Sequence, residues 1–357
     1  MIPVTKSFLP PMEEYQAILK RAWDKGWITN RGELVKELEQ KLKELLGLNY
    51  ITITNNGTIA LQIAIKALEI KGEVITTPFS YIATTSSLVW ENCIPVFVDI
   101  DPDHMSIDET KIEAAITKNT SAILATHVFG NPCHLSAIEA IARKHNLKVV
   151  YDAAHCFGVK YNDKSVFLYG DVSTCSFHAT KIFHTAEGGA MFTNSKELHD
   201  KLFYHHNFGH KGPTEFQGLG INGKLSELNA SLGLAILPYL KNIFIKRRIC
   251  TETYNSLLES TGLRFLKIRE NAEWNYSYYP VIFKDQSQLL KAISLFKAEN
   301  IFPRRYFYPS LSSISYVKKY DTPIADKLSS SVLCLPLYHD LSERDINRVV
   351  KLLKQSL

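Results

Sequence analysis

The sequence predicts an α/β protein, with a large unit built on a mostly parallel sheet flanked by helices and a smaller α+β unit after it. Three observations carry this. Short apolar runs alternate with stretches at helical spacing from Tyr50 to His206. The 357 residues exceed one ordinary domain. The pattern also changes character near residue 240, where Lys246-Arg247-Arg248 reads as a basic, exposed segment. Residues 1–240 are therefore expected to form the large unit and 241–357 the small one, with the N-terminal segment a candidate to pack on the latter.

Residues 11 to 47 read as two helices. Leu34, Leu38, Leu42 and Leu45 form one apolar stripe, and Gly47 is a stop. The connection Gly26-Trp27-Ile28-Thr29-Asn30-Arg31-Gly32 is rich in recognition side chains, which makes Thr29 and Arg31 substrate-loop candidates against the plain alternative of a helix connection. A strand over Tyr50–Thr54 runs through Asn55-Asn56-Gly57-Thr58 into a helix over Ile59–Leu68. That turn points backbone N–H groups and a helix dipole at one spot, which suits an anion, although an Asn/Thr cap alone gives the same pattern.

Further strands are expected at Val74–Thr77, Ile94–Asp99, Ala122–Val128, Lys148–Asp152, Val172–Phe177 and Ala190–Thr193. Helices fall at Ala83–Trp90, Ser136–His145, Lys196–His206 and Leu225–Leu240. The small unit offers strands at Tyr278–Phe283 and Ser331–Leu335, with helices at Gln286–Glu299 and Ser342–Leu353.

Composition narrows the function classes. With 45% hydrophobic and 22% charged residues the chain has enough apolar content for a sizeable core. A net charge of +5 spread over this length gives no footprint for nucleic acid. The six scattered cysteines form no Cys-x-x-Cys pair and read as reduced thiols. The start lacks the apolar stretch of a signal peptide, and no apolar run approaches membrane-spanning length, so a cytoplasmic location is expected.

Two motifs mislead. Gly218-Leu219-Gly220-Ile221-Asn222-Gly223 satisfies G-x-G-x-x-G, but no apolar strand precedes it and no acidic residue follows at the distance a ribose needs. His205, His206 and His210 lack a common helix face and a thiolate, so no metal site is expected.

Four features do converge: the cradle at Gly57 and Thr58, Asp152 closing a strand, Lys181 on a short connection near a strand end, and Tyr81 after Thr77-Pro78-Phe79-Ser80. Together they suit a planar phosphorylated aldehyde: amides for phosphate, a carboxylate for a ring pyridinium, an amine for the carbonyl and an aromatic for the ring face.

Here the chain resembles the DegT/DnrJ/EryC1/StrS sugar aminotransferases, pyridoxal-phosphate enzymes of aspartate-aminotransferase fold type I. The resemblance runs nearly end to end, through Gly26–Thr29, Asn56–Leu61, Thr77–Thr84, Pro95–Asp101, Asp152–His155, Ser176–Lys181, Glu187–Gly189 and Leu333–Leu337. It implies pyridoxal 5'-phosphate as cofactor, cycling through pyridoxamine 5'-phosphate. Lys181 is then the Schiff-base lysine and proton shuttle, and Asp152 the partner of the ring nitrogen. Ser176 with Gly57 and Thr58 binds phosphate, Tyr81 stacks on the ring, and His155 contacts its 3′-oxygen. Asn222 is implied to reach the cofactor phosphate of a neighbouring subunit, and hence a homodimer with shared active sites.

The resemblance also implies L-glutamate as amino donor and a nucleotide-linked keto sugar as acceptor. The Ser-Phe-His-Ala-Thr-Lys version is similar to members that aminate C4 of a 4-keto-6-deoxyhexose, converting dTDP-4-keto-6-deoxy-D-glucose to dTDP-4-amino-4,6-dideoxy-D-glucose for surface polysaccharide. His184, Arg304, Arg305 and Tyr308 are further substrate candidates. Two positions depart from the family pattern: His155 stands where many members have Gln, and Asn222-Gly223-Lys224 replaces Asn-aromatic-Arg. Rival readings are amination of a 3-keto or UDP/GDP-linked sugar, a sugar dehydratase of the same fold, which Lys181 opposes, and a cofactor-binding regulator without turnover.

Overall fold

The computed structural model describes residues 1–357. Seven strands build the central sheet: β1 (Tyr50–Thr54), β2 (Glu73–Thr76), β3 (Ile94–Phe97), β4 (Thr120–Thr126), β5 (Lys148–Asp152), β6 (Val172–Ser176) and β7 (Gly189–Thr193). Their spatial order is β1-β7-β6-β5-β4-β2-β3. Only β7 runs antiparallel to its neighbours, pairing Gly189 with Thr54 on one side and with Ser176 on the other. The α/β, mostly parallel fold expected from the alternation is what forms. Both faces of the sheet are covered, which is why its strands read as continuous apolar runs.

The helices are α1 (Met12–Lys25), α2 (Glu33–Leu46), α3 (Gly57–Ala67), α4 (Ile82–Trp90), α5 (Leu135–His145), α6 (Lys196–His206), α7 (Glu227–Ile236), α8 (Leu240–Leu258), α9 (Gln286–Ala298), α10 (Pro323–Ser331) and α11 (Glu343–Ser356). Leu34, Leu38 and Leu42 of α2 are fully buried against the sheet core, each worth about 1.5–3 kcal/mol. Leu45 departs from the expected stripe and is exposed, while Leu46 beside it packs on the core. Gly47 then closes α2 with φ 64°.

A second apolar cluster joins α8, α9 and α11 with β8 (Tyr279–Ile282) and β9 (Val332–Leu335), which pair antiparallel. Ile2 belongs to this cluster and pairs with Ile301, so the chain start lies on its C-terminal part. The Lys246-Arg247-Arg248 segment is exposed at Lys246 and Arg248, as its composition suggests, but not at Arg247. It lies within α8, and Arg247 is buried, donating to the carbonyls of Tyr276, Ser277 and Leu337 at 2.9, 2.6 and 3.1 Å. The helical stretch Glu227–Thr261 is long and apolar enough by composition to span a membrane, contrary to the reading of apolar runs above. Its α7 portion packs against α1 and α2 and its α8 portion against α11, while Leu228, Ile245 and Ile249 stay exposed.

Candidate active site

The carboxyl ends of β5 and β6 meet the N-terminus of α3 around a cavity of about 250 Å³. Lys181 enters it from the loop after β6. Backbone bonds knit that loop together: Phe177 N–H to Gly188 O at 2.8 Å, Ala179 N–H to Ala186 O at 2.7 Å and Lys181 N–H to His178 O at 2.9 Å. Phe157, Phe177 and Phe183 pack ring against ring beneath it. The lysine is thus presented by an anchored loop. Burial pushes its ammonium below the ordinary lysine range, with Tyr306 and then Asp152 opposing the shift.

Asp152 is buried at the end of β5. Its Oδ2 accepts from Thr84 Oγ1 at 2.6 Å and its Oδ1 from Ala154 N–H at 3.1 Å. Burial raises this carboxyl above its ordinary value, while Thr84, the Ala154 amide and Lys181 pull the other way. His155 lines the same cavity. Its Nδ1 accepts from Phe129 N–H at 3.2 Å, and burial followed by the charge of Lys181 holds it well below the ordinary histidine value. The ring is therefore neutral, with its proton on Nε2.

The opposite wall is the first turn of α3. Asn56 caps it, its Oδ1 accepting from Ile59 N–H at 2.8 Å, and the first backbone bond of the helix runs from Ala60 N–H to Asn56 O. The amides of Gly57 and Thr58 precede that bond and point outward beside Ser176. A Cβ on Gly57 would sit 3.0 Å from Ser176 Cβ, and one on Gly189 would sit 2.6 Å from Asn56 C and O. These glycines let β7, β6 and the cradle approach closely. Tyr81, just before α4, stands half-exposed on the cavity rim.

The structure thus brings Gly57, Thr58, Tyr81, Asp152, His155, Ser176, Lys181 and Arg304 to one cavity. Five substrate candidates, Arg305 among them, do not reach it. Thr29 is exposed on the α1–α2 connection. Arg31 is turned to Glu39, 2.7 Å away, and to the ring of Phe203. His184 is buried with both nitrogens engaged, Nε2 with Phe8 O at 2.8 Å and Nδ1 accepting from Ala186 N–H at 3.3 Å, so it supports the lysine loop. Tyr308 lines a separate serine-rich surface hollow under the guanidinium of Arg305, 3.4 Å from its ring centre. Asn222 also lies outside the cavity lining, its Oδ1 accepting from Lys224 Nζ at 2.7 Å.

Sequence reasoning missed Tyr278, Tyr306 and Phe307, which form the cavity wall contributed by the C-terminal part of the chain, and missed Thr84 behind Asp152. The run of aromatics at Tyr276–Tyr279 and Tyr306–Tyr308 was the available signal.

A half-buried lysine and a buried carboxylate across from a helix N-terminus, on this sheet order, fit the pyridoxal-phosphate enzymes of fold type I. The chain belongs to the DegT/DnrJ/EryC1/StrS aminotransferase family, which it matches over residues 11–354. It is 43% identical over 360 residues to a dTDP-4-amino-4,6-dideoxy-D-glucose transaminase of Shigella dysenteriae, covering 99% of this chain and 98% of that one. It is 40% identical to a protein of the same name from Escherichia coli, with the same coverage. Among solved structures it is similar to DesI determined in the presence of its TDP-sugar product, with TM-score 0.93 and 30% identity over 99% of this chain and 92% of that one.

Proposed function

We propose that the chain is a pyridoxal-phosphate-dependent transaminase that moves the amino group of L-glutamate to C4 of a nucleotide-linked 4-keto-6-deoxyhexose. The substrate it suits best is dTDP-4-keto-6-deoxy-D-glucose, giving dTDP-4-amino-4,6-dideoxy-D-glucose. The observation that carries the chemistry is that Lys181 and Asp152 share one buried cavity closed by the α3 N-terminus. The sugar and nucleotide rest on the relatives of that name.

The residues present fit the cofactor. The Gly57 and Thr58 amides and the Ser176 hydroxyl would hold its phosphate, in a cradle where a Cβ on Gly57 would press on Ser176. Asp152, its carboxyl raised by burial, would pair with the ring nitrogen, and Tyr81 would cover one ring face. The Nε2 proton of His155 would donate to the ring 3′-oxygen. When bound, the cofactor supplies an electron sink and carries the amino group. Lys181, its ammonium destabilised by burial, would move the proton from the donor carbon to the cofactor carbon that carries the amino group, and in the second half-reaction from that carbon to the acceptor carbon. Arg304 is suited to a substrate anion.

Asn222 lies outside the cavity lining of its own chain, on a loop with Phe208, Phe216, Leu219 and Ile221 exposed. This supports a homodimer in which Asn222 serves the neighbouring site. Division into residues 1–240 and 241–357, and a cytoplasmic location, complete the proposal; the separate apolar clusters and six free, buried thiols support them.

The test is spectroscopic. The purified protein given pyridoxal phosphate acquires a visible band, L-glutamate bleaches it, and Lys181→Ala forms no covalent adduct. Nucleotide-linked 4-keto sugars then restore the band. A protein that takes up no cofactor overturns the whole reading, and recovery with 3-keto sugars alone overturns the C4 assignment.

A further inference from the structure

The Lys181 amine has a hydrogen-bond neighbour that no part of the proposed chemistry uses. Tyr278 Oη lies 3.4 Å from Lys181 Nζ, and the lysine also stands 5.9 Å from the centre of the Tyr278 ring. Tyr278 is buried, edge-on to Tyr306 at 5.2 Å and tilted against His155 at 4.8 Å, so its ring has no room to swing away. Its hydroxyl can accept from an ammonium and donate to a neutral amine, satisfying the lysine in either protonation state.

The backbone that carries Tyr278 is fixed to an unusual degree. Tyr276, two residues earlier, has φ 57°, a conformation that a bulky residue adopts only where its surroundings impose it. Arg247 imposes it from the α8 side through the carbonyls of Tyr276 and Ser277. From the other side Ser277 Oγ and Asn275 Nδ2 donate to His155 O at 2.6 and 2.8 Å. Arg247 has no carboxylate partner; its three carbonyls are what hold a buried guanidinium in place.

We infer that Tyr278 is a positioning residue for Lys181, holding its amine in the cavity through the hydroxyl contact, and that Arg247 acts through Tyr278 by fixing the 276–278 backbone. The inference rests on Lys181 being the reactive lysine but requires no bound cofactor. The groups facing the lysine are Tyr278, Tyr306, Asp152, Cys175, Tyr81 and His155, and of these Tyr278 is the one in hydrogen-bond contact with Nζ. A bond from a charged donor is stronger than one involving a neutral amine, so the tyrosine favours the ammonium. Tyr278→Phe keeps the ring and removes only that bond.

The experiment measures the titration of Lys181 itself. Trace acetylation of the full-length, cofactor-stripped protein over a pH series, read at each lysine by mass spectrometry, gives its midpoint. Tyr278→Phe is expected to lower the Lys181 midpoint by roughly half a unit to one unit, with other lysines unmoved. Arg247→Lys keeps the charge but reaches fewer carbonyls, and is expected to shift Lys181 in the same direction by less. An unchanged midpoint in Tyr278→Phe overturns the inference, and an unchanged midpoint in Arg247→Lys overturns Arg247's part in it. Cofactor uptake, scored separately by the visible band, keeps the two readings apart. A Tyr278→Phe protein that binds pyridoxal phosphate with Lys181 unshifted defeats only the positioning role. A parent protein that binds no cofactor defeats the functional reading and leaves the titration to decide the rest.

Discussion

Thr84 donates its hydroxyl to Asp152 Oδ2 at 2.6 Å, and is itself backed by Ser80, 2.7 Å away, which in turn contacts Thr126 at 3.0 Å. This line of buried hydroxyls runs from α4 to the end of β4 and is the support for a carboxylate that burial disfavours. A hydrogen bond to a charged group contributes about 1.5–3 kcal/mol. Thr84→Val preserves shape and removes the donor, so affinity for pyridoxal phosphate is expected to fall roughly ten- to a hundredfold. Titration of the visible band measures it, and an unchanged affinity would show that the hydroxyl does not support the ionised form.

Asp152→Asn should separate stability from activity. The folded pKa of Asp152 is raised, so between the unfolded and folded values the folded state binds more protons than the unfolded one. Stability of the cofactor-free protein therefore falls as pH rises through that window, and at neutral pH the buried charge is a net cost. The amide carries no such penalty. Cofactor-free Asp152→Asn is expected to melt higher than the parent at pH 7, while transamination drops roughly a hundred- to a thousandfold for want of a charge partner to the ring. A variant that melts no higher than the parent contradicts the desolvation argument.

Gly189→Ala tests the cradle. Its Cβ would meet Asn56 C and O at 2.6 Å and Gly57 N at 2.8 Å, all backbone atoms that cannot swing aside. Overpacking of this kind costs about 1–3 kcal/mol, and here the atoms displaced are those that aim the Gly57 and Thr58 amides. Lower thermal stability and weaker pyridoxal phosphate binding are expected together. Loss of stability with full cofactor affinity would place the phosphate elsewhere.

The residues of the site differ in how far the sequence disclosed them. Asp152 and Gly57 were legible because local pattern places them: a strand's last residue, and the polar-glycine turn between an apolar strand and a helix. The strand and helix alternation was legible for the same reason, since both faces of the sheet are buried. Thr84 was not, because a threonine in an apolar helix gives no sign of what its hydroxyl will meet. Arg247 was misread as exposed for the converse reason. A basic triplet looks solvated until tertiary packing supplies three carbonyls to one of its members. His184 and Tyr308 lie beside motif residues in sequence, yet one turns under the loop and the other away from the cavity. Adjacency along a loop does not fix side-chain direction. Tyr278 and Tyr306 reach the lysine from far along the chain, which no local pattern encodes.

The acid limb of stability should be dominated by buried histidines. His155 is held well below the ordinary value, His206 at about 4 and His127 at about 3, in each case chiefly by burial. His127 illustrates the cause: it stacks on Tyr151 with ring centres 4.6 Å apart, its Nδ1 accepts from Cys133 N–H at 3.1 Å, and its Nε2 has no protein partner to stabilise a charge. All three stay neutral in the fold while the unfolded chain protonates near pH 6.5. The unfolded state thus binds more protons from about pH 6.5 down to the folded values, so stability is full above that range and is lost as pH falls through it. Three such groups give a slope approaching about 4 kcal/mol per pH unit near pH 5, above the range where most carboxylates contribute. Urea unfolding midpoints of the cofactor-free protein between pH 8 and pH 5 measure this slope. His155→Gln, which keeps an acceptor for Phe129 N–H but cannot charge, is expected to flatten it by about one proton, or about 1.4 kcal/mol per pH unit. A slope unaltered by that substitution would mean that His155 takes up its proton in the folded protein as readily as in the unfolded chain.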